Sequence, residues 1–337
     1  MRLSNVILGL TLGGLAATSM VVGCGDSSSS TSTSTTSSSS STSSSSGGDP
    51  CSPTDAVCTK VSSDCIALED YSASKTPTLR MAQLTMTKPD ALAGGGVVPK
   101  VVANAVTMNL PACFQEGGGT FSWLLQFDLT SGKLTTGGAK PVDDPTAGYK
   151  FVNEMISQGG KMFNVAPIVL DAPVDASGNF AAAMGVDLLV PIFLDAAATQ
   201  IVLLPLKKAT LKGTLSSNNN CIGKYNSDTL SQDNNCLPDS THPAFTTGAQ
   251  LDGYITLEDA DTVELTTPPE TLCVLLSGDA DKYGDGSSPV NKCKRTNGKI
   301  DFGGDWCDAT NMAADANCAD AVKLGGEFAA NAVKLNQ

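Results

Sequence analysis

The side chains best able to do chemistry in this sequence are its 11 cysteines, its 34 acids and a single histidine, His242. An acyl-transfer triad would have to use His242, which stands in Thr241-His242-Pro243, and no Gly-x-Ser-x-Gly turn supplies it with a nucleophile. His242 therefore reads as a loop residue. No Cys-x-x-Cys pair occurs, so neither a redox dithiol nor a zinc ribbon is expected. Glycoside hydrolysis needs two opposed carboxyl groups. None of the glutamates sits in mid-strand beside an aromatic in a pattern that marks a sugar cleft. Glu258, Asp259 and Asp261 read as the first turn of a helix, where acids complement the dipole. Many cysteines beside one histidine point to disulfides and an oxidising compartment.

The best candidate for a metal is Asp279, Asp281 and Asp285, at relative positions one, three and seven, with Gly284 at six. This spacing resembles the start of a calcium loop, in which six to eight oxygens gather on a sharp turn. Tyr283 stands where a third ligand is usual, and position twelve is Val290 rather than Glu. The segment reads as an exposed Asp/Gly turn, with calcium as the one cofactor that it could hold. Trp306, between Asp305 and Cys307, is expected to pack on a disulfide, and Trp123 to face the core. Gly94–Gly96 and Gly117–Gly119 lack the Lys-Ser/Thr ending of a phosphate loop and read as turns.

The N-terminus carries an address. Arg2 precedes an apolar stretch, Val6 to Met20, diluted by Gly9, Gly13 and Gly14, too short for a spanning helix. It ends in Val21-Val22-Gly23-Cys24, which resembles the lipobox of bacterial lipoproteins. The resemblance implies cleavage before Cys24, a diacylglyceryl group on its thiol, and membrane attachment through that lipid. Gly25 stands at the second mature position and Asp26 one later, so the resemblance implies the outer membrane or cell surface. Residues 27–46 are 20 consecutive Ser or Thr, a run with nothing to bury. With its flanks this makes a coil of about 26 residues that spans roughly 25–30 Å. The expected organisation is a signal peptide over 1–23, a lipidated cysteine and linker over 24–50, and one folded domain over 51–337.

Ten cysteines remain after Cys24, enough for five disulfides. Cys221 and Cys236 bracket a polar loop and are expected to pair; Cys273 with Cys293 and Cys307 with Cys318 follow by proximity. A capped start at Ser52-Pro53-Thr54-Asp55 predicts an N-terminal helix that carries Cys58 and Cys65 on one stripe. Seven residues along a helix put them about 10 Å apart, so they pair elsewhere. Cys51 and Cys113 complete the set.

The elements that must position these residues are mostly strands. Phe121, Trp123, Leu125 and Phe127 alternate with Ser122, Gln126 and Asp128 as in a half-buried strand. Further strands are expected over residues 79–86, 97–110, 149–153, 162–170, 180–194, 200–215, 248–257 and 324–335, joined by Gly- and Pro-rich turns. Thr256 and residues 269–272 read as helix starts, and the Ala-rich residues 310–321 as a further helix. The match of residues 103–106 with residues 330–333, both Ala-Asn-Ala-Val, reads as coincidence in an Ala-rich chain. The fold class is mainly β: an antiparallel β-sandwich of jelly-roll type with a few short helices, stapled by disulfides.

Lys and Arg number 21 against the 34 acids, a net charge of −13 with a pI near 4.4. That balance excludes a nucleic-acid partner, whose binding needs clustered cations. Two functions remain open: a non-enzymatic binding or envelope lipoprotein, and a hydrolase of polysaccharides or esters on a β-sandwich. A cleft with two carboxyls about 5–10 Å apart would favour the second.

Overall fold

The structure is a computed structural model that describes residues 50–336, apart from 54–56, 63, 94–96, 159, 183–184, 240, 267 and 282–289. The chain is mainly β. Nine strands of the main sheet carry the fold: β1 (Thr78–Lys88), β2 (Ser122–Asp128), β3 (Lys133–Ala139), β4 (Ile168–Asp171), β5 (Asn179–Ala181), β6 (Val186–Phe193), β7 (Ile201–Thr214), β8 (Ala249–Thr256) and β9 (Ala321–Ala332). They form one antiparallel sheet in the order β4-β3-β2-β1-β9-β8-β7-β5, with β6 also paired to β7.

The sheet curls. Phe127 of β2 and Phe180 of β5 meet edge to face at 5.0 Å, although four strands lie between them in the sheet. Farther round, a Cβ on Gly138 of β3 would stand 2.3 Å from the Pro191 ring of β6, so only glycine lets these two strands lie together. The two layers expected of a sandwich thus belong to one continuous sheet wrapped round its own core. Trp123, Leu125, Phe127, Leu211, Ile255, Leu324 and Phe328 fill that core. Trp123 is buried as expected.

Strand β9 holds the middle and is built from small residues because both its faces are covered. Val322, Leu324, Phe328 and Ala330 face the main core, while Ala329 lies under a second cluster with Cys58, Cys113, Tyr225 and Phe245. Strand β2 is likewise buried on both faces. Leu124 packs with Tyr149 and Val333 on the side where the alternation predicts solvent.

Five disulfides staple the domain: Cys51–Cys236, Cys58–Cys113, Cys65–Cys221, Cys273–Cys293 and Cys307–Cys318. The two short-range pairs are as expected. Cys221 and Cys236 do not pair with each other; each instead takes a partner from the N-terminal segment, 156 and 185 residues away. That segment is no helix where it is described. Thr59–Ser62 and Cys65–Ala67 form a hairpin, which presents Cys58 and Cys65 to different partners.

Three other expectations are corrected. Residues 97–106 form helix α1 (Val97–Val106), not a strand. Val98, Val102, Ala105 and Val106 recur at helical spacing and pack on the core, and this face outweighs the strand preference of branched residues. The Ala-Asn-Ala-Val match is therefore a coincidence, a helix in one place and β9 in the other. Residues 310–321 hold no helix: Met312–Ala313 pair with Trp306–Cys307 in a small hairpin beside the Cys307–Cys318 disulfide, because a short cross-link and the turns at Asn311 and Asp315 outweigh alanine's helix preference. Residues 149–153 make only isolated bridges, at Tyr149 to Leu335 and Phe151 to Ala139. Helix α2 (Leu257–Ala260) begins where its cap predicts, with Thr256 accepting from Asp259 N; α3 (Leu272–Ser277) begins at the end of the expected 269–272 start, because Pro269–Thr271 pair as a strand and Thr271 caps the helix by accepting from Val274 N. No helix of the described residues is long and apolar enough to cross a membrane.

Candidate functional site: a polar groove across four strands

Directly paired residues of neighbouring strands project to the same face. The register sets Ala181 of β5 beside Lys212 of β7, Lys212 beside Gln250 of β8, and Gln250 beside Glu327 of β9. Three polar side chains from distant parts of the chain thus form a single row across the outer face of the sheet. Around the row lies an open groove of about 540 Å³, a size that suits a small ligand. Its polar lining is Asn179, Lys212, Thr214, Thr247, Gln250 and Glu327.

Glycines make the depression possible. Gly248 lines it where the backbone crosses that of Gly223, and a Cβ there would meet Gly223 N at 2.3 Å. Gly213, beside it, is a second close approach: a Cβ there would meet the Ala249 Cβ at 2.4 Å. The walls are held by their own hydrogen bonds. Thr247 Oγ1 donates to Glu327 Oε2 at 3.1 Å and Gln250 Nε2 to Glu327 Oε1 at 3.4 Å. Thr214 Oγ1 donates to Asn179 Oδ1 at 2.9 Å, and Asn179 Nδ2 to Asp175 at 3.1 Å. Lys212 is exposed. None of the ion pairs among the described residues includes Lys212 or Glu327. The groove therefore offers one cation and one anion, each free of a charged partner, with an amide and hydroxyls between.

Other polar constellations are occupied by structure. Arg295 grips Glu258 at 2.8 and 3.0 Å and Asp261 at 2.9 Å, which raises the guanidinium further above its ordinary value. Asp261 is buried and also accepts from Thr271 Oγ1 and from Cys293 N, each at 2.8 Å. Its oxygens are thereby spoken for, and the two cysteines beside it are a disulfide, so it is a fastening between α2, α3 and the Cys293 turn. Tyr254 donates to Asp308 at 2.9 Å, and burial together with that carboxylate pushes the phenol up to about 12. A phenol held protonated in this way is no general base at neutral pH.

The residues singled out by sequence fall as follows. His242 is an exposed loop residue, its Nδ1 within 3.2 Å of Asp239. Trp306 leans on Tyr254, with Lys323 Nζ 4.5 Å from its ring centre and its indole N–H donating to Asn311. Asp279 and Asp281 are exposed; Asp285 lies outside the described residues, as does Cys24. Lys212, Gln250 and Glu327 carry no signal in the sequence, because isolated polar residues in alternating strands look like any wetted face. Gln250 and Glu327 are 77 residues apart, and only the strand register joins them. No protein-family model, no curated protein and no solved structure matches this chain.

Proposed function

We propose that this chain is an extracytoplasmic lipoprotein: acylated on Cys24, carried on the Ser/Thr-rich linker at the outer membrane or cell surface, and presenting a β domain that binds a ligand in its polar groove. The observation that carries the anchor is the cysteine count. Five disulfides account for all ten cysteines of the described residues, which leaves Cys24, in its lipobox-like setting, as the one cysteine outside the set. Five cross-links also fit an oxidising compartment. Binding is favoured over hydrolysis by the composition of the groove: Glu327 is the sole carboxylate among its lining residues, so the second acid that a glycosidase mechanism requires has no candidate there.

Metabolic labelling with palmitate tests the anchor. The wild-type chain is expected to take up label and Cys24→Ser to lose it together with membrane fractionation. Label that persists in Cys24→Ser rules the anchor out.

A further inference from the structure

We propose that the groove binds a short peptide with free termini, its ammonium group on Glu327 and its carboxylate on Lys212; this rests on the reading of the groove as the ligand site. The argument starts from charge. In a chain with 13 more acids than bases, a groove that holds one lysine and one glutamate, neither of them in an ion pair, has no net charge of its own. It suits a ligand that carries both signs, and it gives a purely anionic or purely cationic ligand one repelling group for each attracting one.

Spacing then sets the length. Lys212 and Glu327 lie two strands apart, with Gln250 between them. Strands run about 4.8 Å apart, so the two charged side chains spring from backbone about 10 Å apart. An extended chain advances about 3.3–3.6 Å per residue, so about three residues cover that span, lying across the strands. Between the two ends, Gln250 and Thr247 stand against the peptide backbone. Gln250 has an amide oxygen to accept an N–H, and the Thr247 hydroxyl, which already donates to Glu327, retains acceptor capacity. Glu327 is prepared for an ammonium group: its two donors orient the carboxylate and supply no full positive charge, so a cation still gains from meeting it. Phe180, the one aromatic among the lining residues, is buried against Phe127 and so gives a sugar ring no open face to stack on.

Calorimetry on the full chain in detergent tests this with triglycine, N-acetyl-triglycine, triglycine amide and N-acetylglucosamine as probes. Triglycine is expected to bind wild type. Acetylation and Glu327→Gln are each expected to weaken it about tenfold or more, and amidation and Lys212→Gln likewise, as for lost hydrogen bonds to charged groups. The matched pairs are the diagnostic: N-acetyl-triglycine is expected to bind Glu327→Gln and wild type equally, and triglycine amide to bind Lys212→Gln and wild type equally. Binding of N-acetylglucosamine without triglycine overturns the peptide and leaves the groove as a ligand site. No binding of any probe, or triglycine binding that neither variant changes, overturns the peptide proposal in this groove. Neither result touches the anchor, which palmitate labelling reads separately.

Discussion

Arg80 sits fully buried in the core without a carboxylate: none of the ion pairs among the described residues includes it. Its charge is spread over neutral acceptors. Nε donates to Ser122 Oγ, Nη1 to the carbonyls of Met81 and Val106, and Nη2 to that of Phe121. The Tyr149 ring lies 5.3 Å from the guanidinium carbon. Burial lowers the guanidinium below its ordinary value, yet its starting point is so high that it stays charged. Val106 ends α1, so the cation also meets the negative end of that helix. Arg80→Met keeps most of the volume and strands three carbonyls. It is expected to cost about 2–4 kcal/mol in denaturant unfolding; a loss below about 1 kcal/mol would show that the carbonyls find other donors.

A second set of residues repeats one local device. Asp70, Asp128, Asp144, Asp175 and Asp239 each stand two residues before a Ser or Thr, and each accepts its backbone N–H. Side-chain donors, Asn220, Ser131, Thr146, Asn179 and Thr241 in turn, together with these N–H bonds favour the ionised form and hold all five carboxyls below the usual range, Asp239 at about 2. The folded pKa lies below the unfolded one. The stability they contribute is therefore complete above about pH 4, and drains away as pH falls toward 2. Melting temperatures are expected to fall below pH 4, and the Asp239 carboxyl carbon to titrate by NMR near 2. A midpoint near 4 would mean that the turn does not hold the carboxylate.

At the scale of elements, caps outperformed composition. Thr256 marks the start of α2 as its sequence context predicts, because a cap is decided by four neighbouring residues, whereas Thr271 is revealed as the cap of α3 only by the structure. Thr271 does more than cap, since its hydroxyl also donates to buried Asp261. Thr271→Ala is expected to cost about 2–3 kcal/mol, a cap of about 1 plus an unmet acceptor, and Thr271→Ser to recover most of it. Equal losses for Ala and Ser would assign the effect to the methyl group instead. Helix α1 shows the opposite case. Its valines suit a strand by preference, and the helix exists because Val98, Val102, Ala105 and Val106 find the core together. The period was present in the residues, but nothing local said that a core lay under it.

For the molecule as a whole, the disulfides show the same division. Cys273–Cys293 and Cys307–Cys318 close loops of 20 and 11 residues and are favoured by proximity alone. Cys51, Cys58 and Cys65 reach partners 55 to 185 residues away. Such long closures restrict the unfolded chain most, by roughly 4–5 kcal/mol each in the chain-entropy account. Peptide mapping of the non-reduced protein is expected to find Cys51 with Cys236 and Cys65 with Cys221, and no free thiol among these ten. A Cys221–Cys236 peptide would contradict the fold, because it would remove the two disulfides that tie Cys51 and Cys65 to the later chain.

The amino-acid sequence by itself determined what depends on neighbours or on totals. The strand-rich class, most strand positions, the Thr256 cap, the short disulfides, and the burial of Trp123 follow from alternation, turn residues and proximity within a few residues. Tertiary structure alone decided the rest: the curl that brings Phe127 against Phe180, the burial of both faces of β2 and β9, the three long disulfides, and the meeting of Lys212, Gln250 and Glu327. The reason is physical. Side-chain period reports which face a residue takes, but register across a sheet depends on which strands pair, and pairing is settled only when the whole apolar surface is buried at once.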